Sequence, residues 1–169
     1  MPSCPATASL NTTPRALAWR ISRSSAWSSS ARADDRAPGV ERTLDVRAIS
    51  TLLHELEHTW NRGDGPAYAA GFTEDSDYIA FDGTHLTGRA ANAEHHQLLF
   101  DTVLRGSRLV FEGEPRVRFV SDDVAIVHAM GSVLLPWQAR VTAERRSNQT
   151  LVALRTAHEW RFSAFHNTR

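Results

Sequence analysis

The feature that most restricts the fold is a change of hydrophobic period in mid-chain. Ile49, Leu52, Leu53, Leu56 and Trp60 recur at helical spacing until Asn61-Arg62-Gly63-Asp64-Gly65 breaks the run. Asp64 is placed to cap a short second helix with Pro66 in its first turn and Tyr68, Ala69 and Phe72 to bury. Tyr78-Ile79-Ala80-Phe81 reads as a short strand before the Asp82-Gly83 turn, and Thr87 opens a third helix that runs through Leu104 to Gly106. Beyond Gly106 the period falls to two, over residues 108–120 (interrupted at Gly113 and Pro115), 123–135, 148–156 and 159–167. Helices first and strands afterwards predict an α+β fold with a mostly antiparallel sheet.

The first 40 residues do not share this patterning. They are rich in Ser, Ala, Arg and Pro, ALAW is interrupted by Arg15 and Arg20, and five Arg stand against Asp34 and Asp35. The expectation is a disordered tail over 1–42, of the transit-peptide or mis-assigned-start kind, and one folded domain over 43–169. Trp19 and Trp27 could dock on a partner, with simple disorder as the alternative. At 169 residues the chain has room for one sizeable core.

Charge narrows the function. The 19 basic residues, all Arg, balance 19 acidic ones, which argues against a nucleic-acid or anionic-membrane partner. The longest stretch free of charge in the folded part, Val124 to Gln138, is too short to span a bilayer. The single Cys4 rules out an internal disulfide and points to a reducing, cytoplasmic compartment. No P-loop, dinucleotide glycine signature or Ser nucleophile motif is present, so no cofactor is expected.

His54-Glu55-Leu56-Glu57-His58 matches H-E-x-x-H, whose two His at i and i+4 bind zinc in peptidases. On a wheel of about 100° per residue, however, both His fall about 140° to 180° from the apolar centre, and no third His follows at metzincin spacing. The expectation is an exposed polar face without a metal, with a zinc peptidase as the remote alternative.

His96 instead lies in the apolar stripe of helix three with Leu99, Phe100, Val103 and Leu104, whereas His95 and His158 read as exposed and His85 as a loop residue. By period two, His128 shares a face with Val124, Ile126 and Met130, and His166 with Trp160, Phe162 and Ala164. Three inward His on three elements could converge on a cavity and move protons, with Asp77 or Asp82 orienting them. The alternative is that each His bonds a backbone carbonyl at the rim of the sheet. Asn167 and Arg169 are placed to line or anchor such a site.

Trp60-Asn61-Arg62-Gly63-Asp64, the block from Gly88-Arg89 through His96-Gln97-Leu98-Leu99-Phe100-Asp101 to Gly106-Ser107-Arg108-Leu109, the strand Asp123 to Ala129 and the ending Ala164-Phe165-His166-Asn167-Thr168-Arg169 carry a resemblance. Over residues 43–169 the chain resembles the SgcJ/EcaC family, in the SnoaL-like group of the nuclear transport factor 2-like superfamily. That resemblance implies a cone of three N-terminal helices on a curved mixed sheet, an enclosed apolar pocket and a homodimer formed through the sheet. It further implies a small-molecule protein of polyketide or enediyne biosynthesis, acting by acid–base chemistry of the isomerase, cyclase or hydratase kind although the family is often labelled oxidoreductase. On this expectation His96, His128, His166 and Asp77 are catalytic, and Trp60, Tyr78, Phe100, Met130, Phe162 and Asn167 contact an apolar ligand. The alternatives are a non-catalytic binder of such a ligand and a dimeric scaffold for a synthase.

Overall fold

Helix α1 (Pro38–Asn61) turns Ile49, Leu52, Leu53, Leu56 and Trp60 onto one buried stripe, which is the core of the computed structural model. The structure describes residues 38–157 and 159–169; the tail through Ala37, with Cys4, Trp19 and Trp27, and His158 lie outside the described residues. α1 begins at Pro38, ahead of the apolar repeat, so Pro38–Arg42 are helical. Proline suits a first helical turn, where an N–H has no partner to lose. Asp45, buried on α1, accepts a bond from Trp160 Nε1 at 3.2 Å and pairs with Arg155, so the charge enters the core with both partners in place.

Asn61 ends α1 with a two-way amide bridge, donating to the Leu109 carbonyl at 3.1 Å and accepting the Leu109 N–H at 2.7 Å. Gly63 then takes a φ of 67°, a left-handed turn that a side chain would strain. Helix α2 (Gly65–Ala69) is capped as its sequence predicts, Asp64 accepting the Ala67 N–H at 2.9 Å. α2 lies so close to helix α3 (Arg89–Asp101) that a Cβ on Gly65 would meet the Gln97 N at 2.6 Å.

Six strands form one mixed sheet: β1 (Phe72–Ile79), β2 (His85–Thr87), β3 (Arg108–Phe119), β4 (Val124–Leu134), β5 (Arg146–Arg155) and β6 (Trp160–Thr168). Their spatial order is β2-β1-β6-β5-β4-β3, with β1 and β6 parallel and all other neighbours antiparallel. The expected α+β architecture of three helices on a curved mixed sheet is the one observed. Two local expectations change. β1 starts at Phe72, through the polar run Thr73 to Asp77, and His85 lies in β2, not in a loop. Helix α3 is shorter at both ends than its apolar stripe suggests, and Val103 beyond it is exposed.

One face of the sheet is packed against the helices. Its inner row includes Val127, Leu151, Phe165 and Tyr78, aligned across four strands by register and all buried. The other face carries the neighbouring row Arg116, His128, Thr150, His166 and Ile79.

Candidate functional site

Helix α3 presents Asn92, His96 and Phe100 at i, i+4 and i+8, one buried line facing the sheet. The His96 ring sits in an aromatic cage, with ring centroids of Tyr68 at 4.5 Å, Tyr78 at 5.0 Å, Trp60 at 5.7 Å and Phe100 at 6.0 Å. Its Nδ1 lies 2.9 Å from the Asn92 carbonyl, which can only accept, so Nδ1 carries the proton and Nε2 keeps the lone pair. Burial pushes the imidazole down to about 4, so the ring is neutral at physiological pH.

Strand β1 supplies Tyr78, stacked on Phe165 of β6 at 4.3 Å with the ring planes 9° apart. The Tyr78 and Tyr68 hydroxyls are 3.3 Å apart. Burial pushes the Tyr78 phenol up to about 12, the bond with Tyr68 offsetting part of that rise, and burial also raises Tyr68. Both phenols are therefore neutral.

These groups open onto a cavity of about 160 Å³. Trp60, Tyr78 and His96 form its buried end, with Leu99, Leu104 and Val133 as apolar walls. Ser147 and Asn167 line the sheet side, and the Asn167 Oδ1 has no hydrogen-bond partner among the described residues. At the open end stand Phe81, His95, Arg145 and Arg169, the Arg169 guanidinium lying 3.6 Å over the Phe81 ring. Burial, and secondarily the charge of Arg145, lowers the Arg169 guanidinium from its usual range. Trp60 is fixed by donating from Nε1 to Ser107 Oγ at 3.1 Å. The groups can offer a ligand a neutral donor and a neutral acceptor at depth, and positive charge at the entrance.

Of the residues expected here, His96, Trp60, Tyr78 and Asn167 line the cavity together. His128 does not face it: the side chain is exposed on the opposite face of the sheet, its Nδ1 3.2 Å from Thr150 Oγ1. β4 is apolar on both faces, and the small set Ala125, Val127 and Ala129 turns inward, where the larger set with Ile126 and Met130 does not. Met130 goes outward with His128 for the same reason.

His166 is also on the outer face, because Ser163 is an extra residue in β6 against β5, Val152 pairing with Ala164 and Ala153 with Phe162. This bulge shifts the inward set from Trp160 and Phe162 to Phe165 and Asn167. Asp77 pairs with His85 Nε2 at 2.7 Å on the exposed side of β1, and Asp82 accepts the Thr84 N–H in a surface turn. Phe100 packs behind Trp60 and His96, and Phe162 packs on Phe72; both are core residues that do not line the cavity.

His95, Arg145, Ser147 and Leu104 line the cavity without having been picked out as site residues. Arg145 lies in a short 3₁₀ turn (Ala143–Arg145) before β5 and gives no periodic signal. His95 sits beside the apolar stripe of α3, and that flank borders the cavity entrance.

His54 and His58 are exposed on α1, beside a separate shallow groove of about 310 Å³. His54 Nδ1 lies 3.6 Å from Glu57, and among the described residues no group of three or more His, Cys, Asp or Glu could hold a metal ion.

No family model and no curated protein matches the chain. Solved structures do. A domain of unknown function with a cystatin-like fold from Nostoc punctiforme is 39% identical over 75% of this chain and 78% of its own, with a TM-score of 0.70. A nuclear transport factor 2-like protein with a cystatin-like fold from Novosphingobium aromaticivorans is 22% identical over 80% of this chain and 91% of its own, at a TM-score of 0.64. A scytalone dehydratase-like protein of the same organism is 17% identical over 76% of this chain and 86% of its own, at 0.61. These last two share the fold. A six-stranded mixed sheet under three helices, and 39% identity to the Nostoc domain over 75% of this chain, place the chain in one family with that cystatin-like domain, and the nuclear transport factor 2-like structure shares the fold.

Proposed function

We infer that this is a small-molecule-binding domain whose cavity takes a compact, largely apolar compound bearing a hydroxyl or carbonyl group, of the polyketide-derived class that the resemblance implies. The observation that carries this reading is the pair of neutral polar groups, His96 Nε2 and the Tyr78 hydroxyl, at the buried end of an aromatic and aliphatic cavity. Such a site is mostly apolar, with a few convergent polar groups to orient the ligand. Neither group costs a buried charge: the Tyr78 hydroxyl can donate to a ligand carbonyl or hydroxyl oxygen, and His96 Nε2 can accept from a ligand hydroxyl.

A test compares p-cresol with toluene by calorimetry. The hydroxyl is expected to strengthen binding by about fivefold or more, a gain of roughly 1 kcal/mol. Tyr78→Phe and His96→Phe should each reduce that preference. Equal binding of the two ligands would remove the polar pair from recognition, and binding of neither would remove the cavity from the function.

Acid–base catalysis is the second reading, favoured by the Tyr68 hydroxyl behind Tyr78, which lets two phenols stabilise negative charge growing on a ligand oxygen. With its imidazole near 4, His96 is a weak base for this task, and no Asp or Glu side chain lines the cavity. Exchange of the α-protons of phenylacetone in deuterated water, followed by NMR, separates the readings. Acceleration by the protein that is lost in His96→Gln supports catalysis, whereas binding at the buffer exchange rate supports a plain binder. The homodimer belongs to the same proposal. The outer sheet face, with half-buried Ile126, Met130 and Val152, is the surface that a second copy would cover, and light scattering measures it.

A further inference from the structure

We propose that the ligand of this cavity is an anion, a single-ring or short-chain carboxylate whose head lies between Arg145 and Arg169. The proposal rests on the cavity reading above and adds the charge and size of what enters.

Among the described residues, five Arg side chains pair with acids: Arg42 with Asp122, Arg62 with Asp64, Arg146 with Glu112, Arg155 with Asp45 and Asp123, and Arg161 with Glu159. Nine other Arg of the described residues do not, Arg145 and Arg169 among them. Both instead line one cavity that contains no Asp or Glu. Arg169 is held in place by the face of Phe81, an arrangement that keeps the guanidinium edge free to donate. Burial first, and the neighbouring charge of Arg145 second, lower the Arg169 guanidinium from its usual range. A carboxylate between them would relieve that repulsion and accept charge-assisted bonds from planar forks that match its geometry. His95 stands at the same entrance.

Size follows from the volume. A cavity of about 150 Å³ holds one benzene-sized ring, and this one measures about 160 Å³. A ring seated against Trp60 and Leu99 leaves a carboxylate at the arginine end. A polycyclic ligand would project from the entrance.

The experiment titrates the unaltered protein with phenylacetate and with phenylacetamide, its uncharged isostere, by calorimetry. Phenylacetate is expected to bind about tenfold more tightly at low salt, with the gap closing in about 0.5 M salt, where exposed charges are screened. Arg145→Gln combined with Arg169→Gln should remove the preference for phenylacetate over the amide. Amide binding as tight as that of the carboxylate overturns the charge assignment while leaving the cavity reading intact. Binding of neither overturns both. The decisive comparison is between two ligands on one protein, so it does not depend on the variants folding.

Discussion

The two faces of the sheet draw on the same residue types and end with opposite chemistry. Inward, Tyr78, Phe165, Leu151 and Val127 close a core in which the Tyr78 phenol and the His96 imidazole are neutral. Outward, one register step away, His128, Thr150 and His166 line up in solvent beside Arg116. A histidine inside this fold is a neutral acceptor caged by aromatic rings, and a histidine on the other side is an ordinary surface group. His96 is turned inward by its helix, whereas for His128 and His166 the side depends on strand phase, set by curvature and by one extra residue.

The largest test of that contrast is a truncation on the inner face. Phe162→Ala, at a fully buried position, is expected to cost about 3 to 5 kcal/mol in chemical denaturation. Next comes acid. His96 binds its proton at about 4 when folded and near 6.5 when unfolded, so the unfolded state takes up protons first as pH falls. Stability should therefore be complete above pH 6.5 and drop by about 3 kcal/mol toward pH 4, a slope that His96→Phe removes and His128→Gln leaves in place. Smaller again, Tyr78→Phe should cost about 1 kcal/mol for the lost bond to Tyr68. Smallest, the double variant His128→Gln, His166→Gln should stay within about 0.5 kcal/mol of the parent and leave p-cresol binding unchanged. A large effect there would mean that the outer face is not the solvent-exposed surface of the chain in solution.

Period and punctuation made the architecture legible. The apolar repeat of α1, the Asp64 cap and the Gly113 and Pro115 interruption of β3 all appear where the residues place them. The site was only partly legible. His96 could be placed because a helix repeats without interruption over its length. His128 could not, since β4 offers two apolar faces and only the concavity of the sheet selects the smaller one. His166 could not, since nothing about Ser163 announces that it is unpaired with β5. β1 was hidden by Thr73 to Asp77, a polar run in which Asp77 pairs with both β2 and β6 and Phe72 is the apolar anchor at its start. Arg145 reaches the cavity from a turn, and turns carry no hydrophobic pattern to read.

The place of β6 in the sheet bears on how the molecule is made. It is the strand furthest along the chain, yet it sits between β1 and β5. Until it inserts, the β1 and β2 hairpin with its helices and the meander of β3, β4 and β5 share no strand pairing, and the wall that carries Asn167 does not exist. Synthesis of nearly all of the described domain therefore precedes completion of this cavity. The parallel pairing of β1 with β6 joins residues some ninety positions apart, such as Phe72 with Phe162, the kind of distant closure that slows folding. Before that closure the waiting edges of β1 and β5 are open to other chains, so the partly made protein is most exposed to aggregation just before it becomes functional.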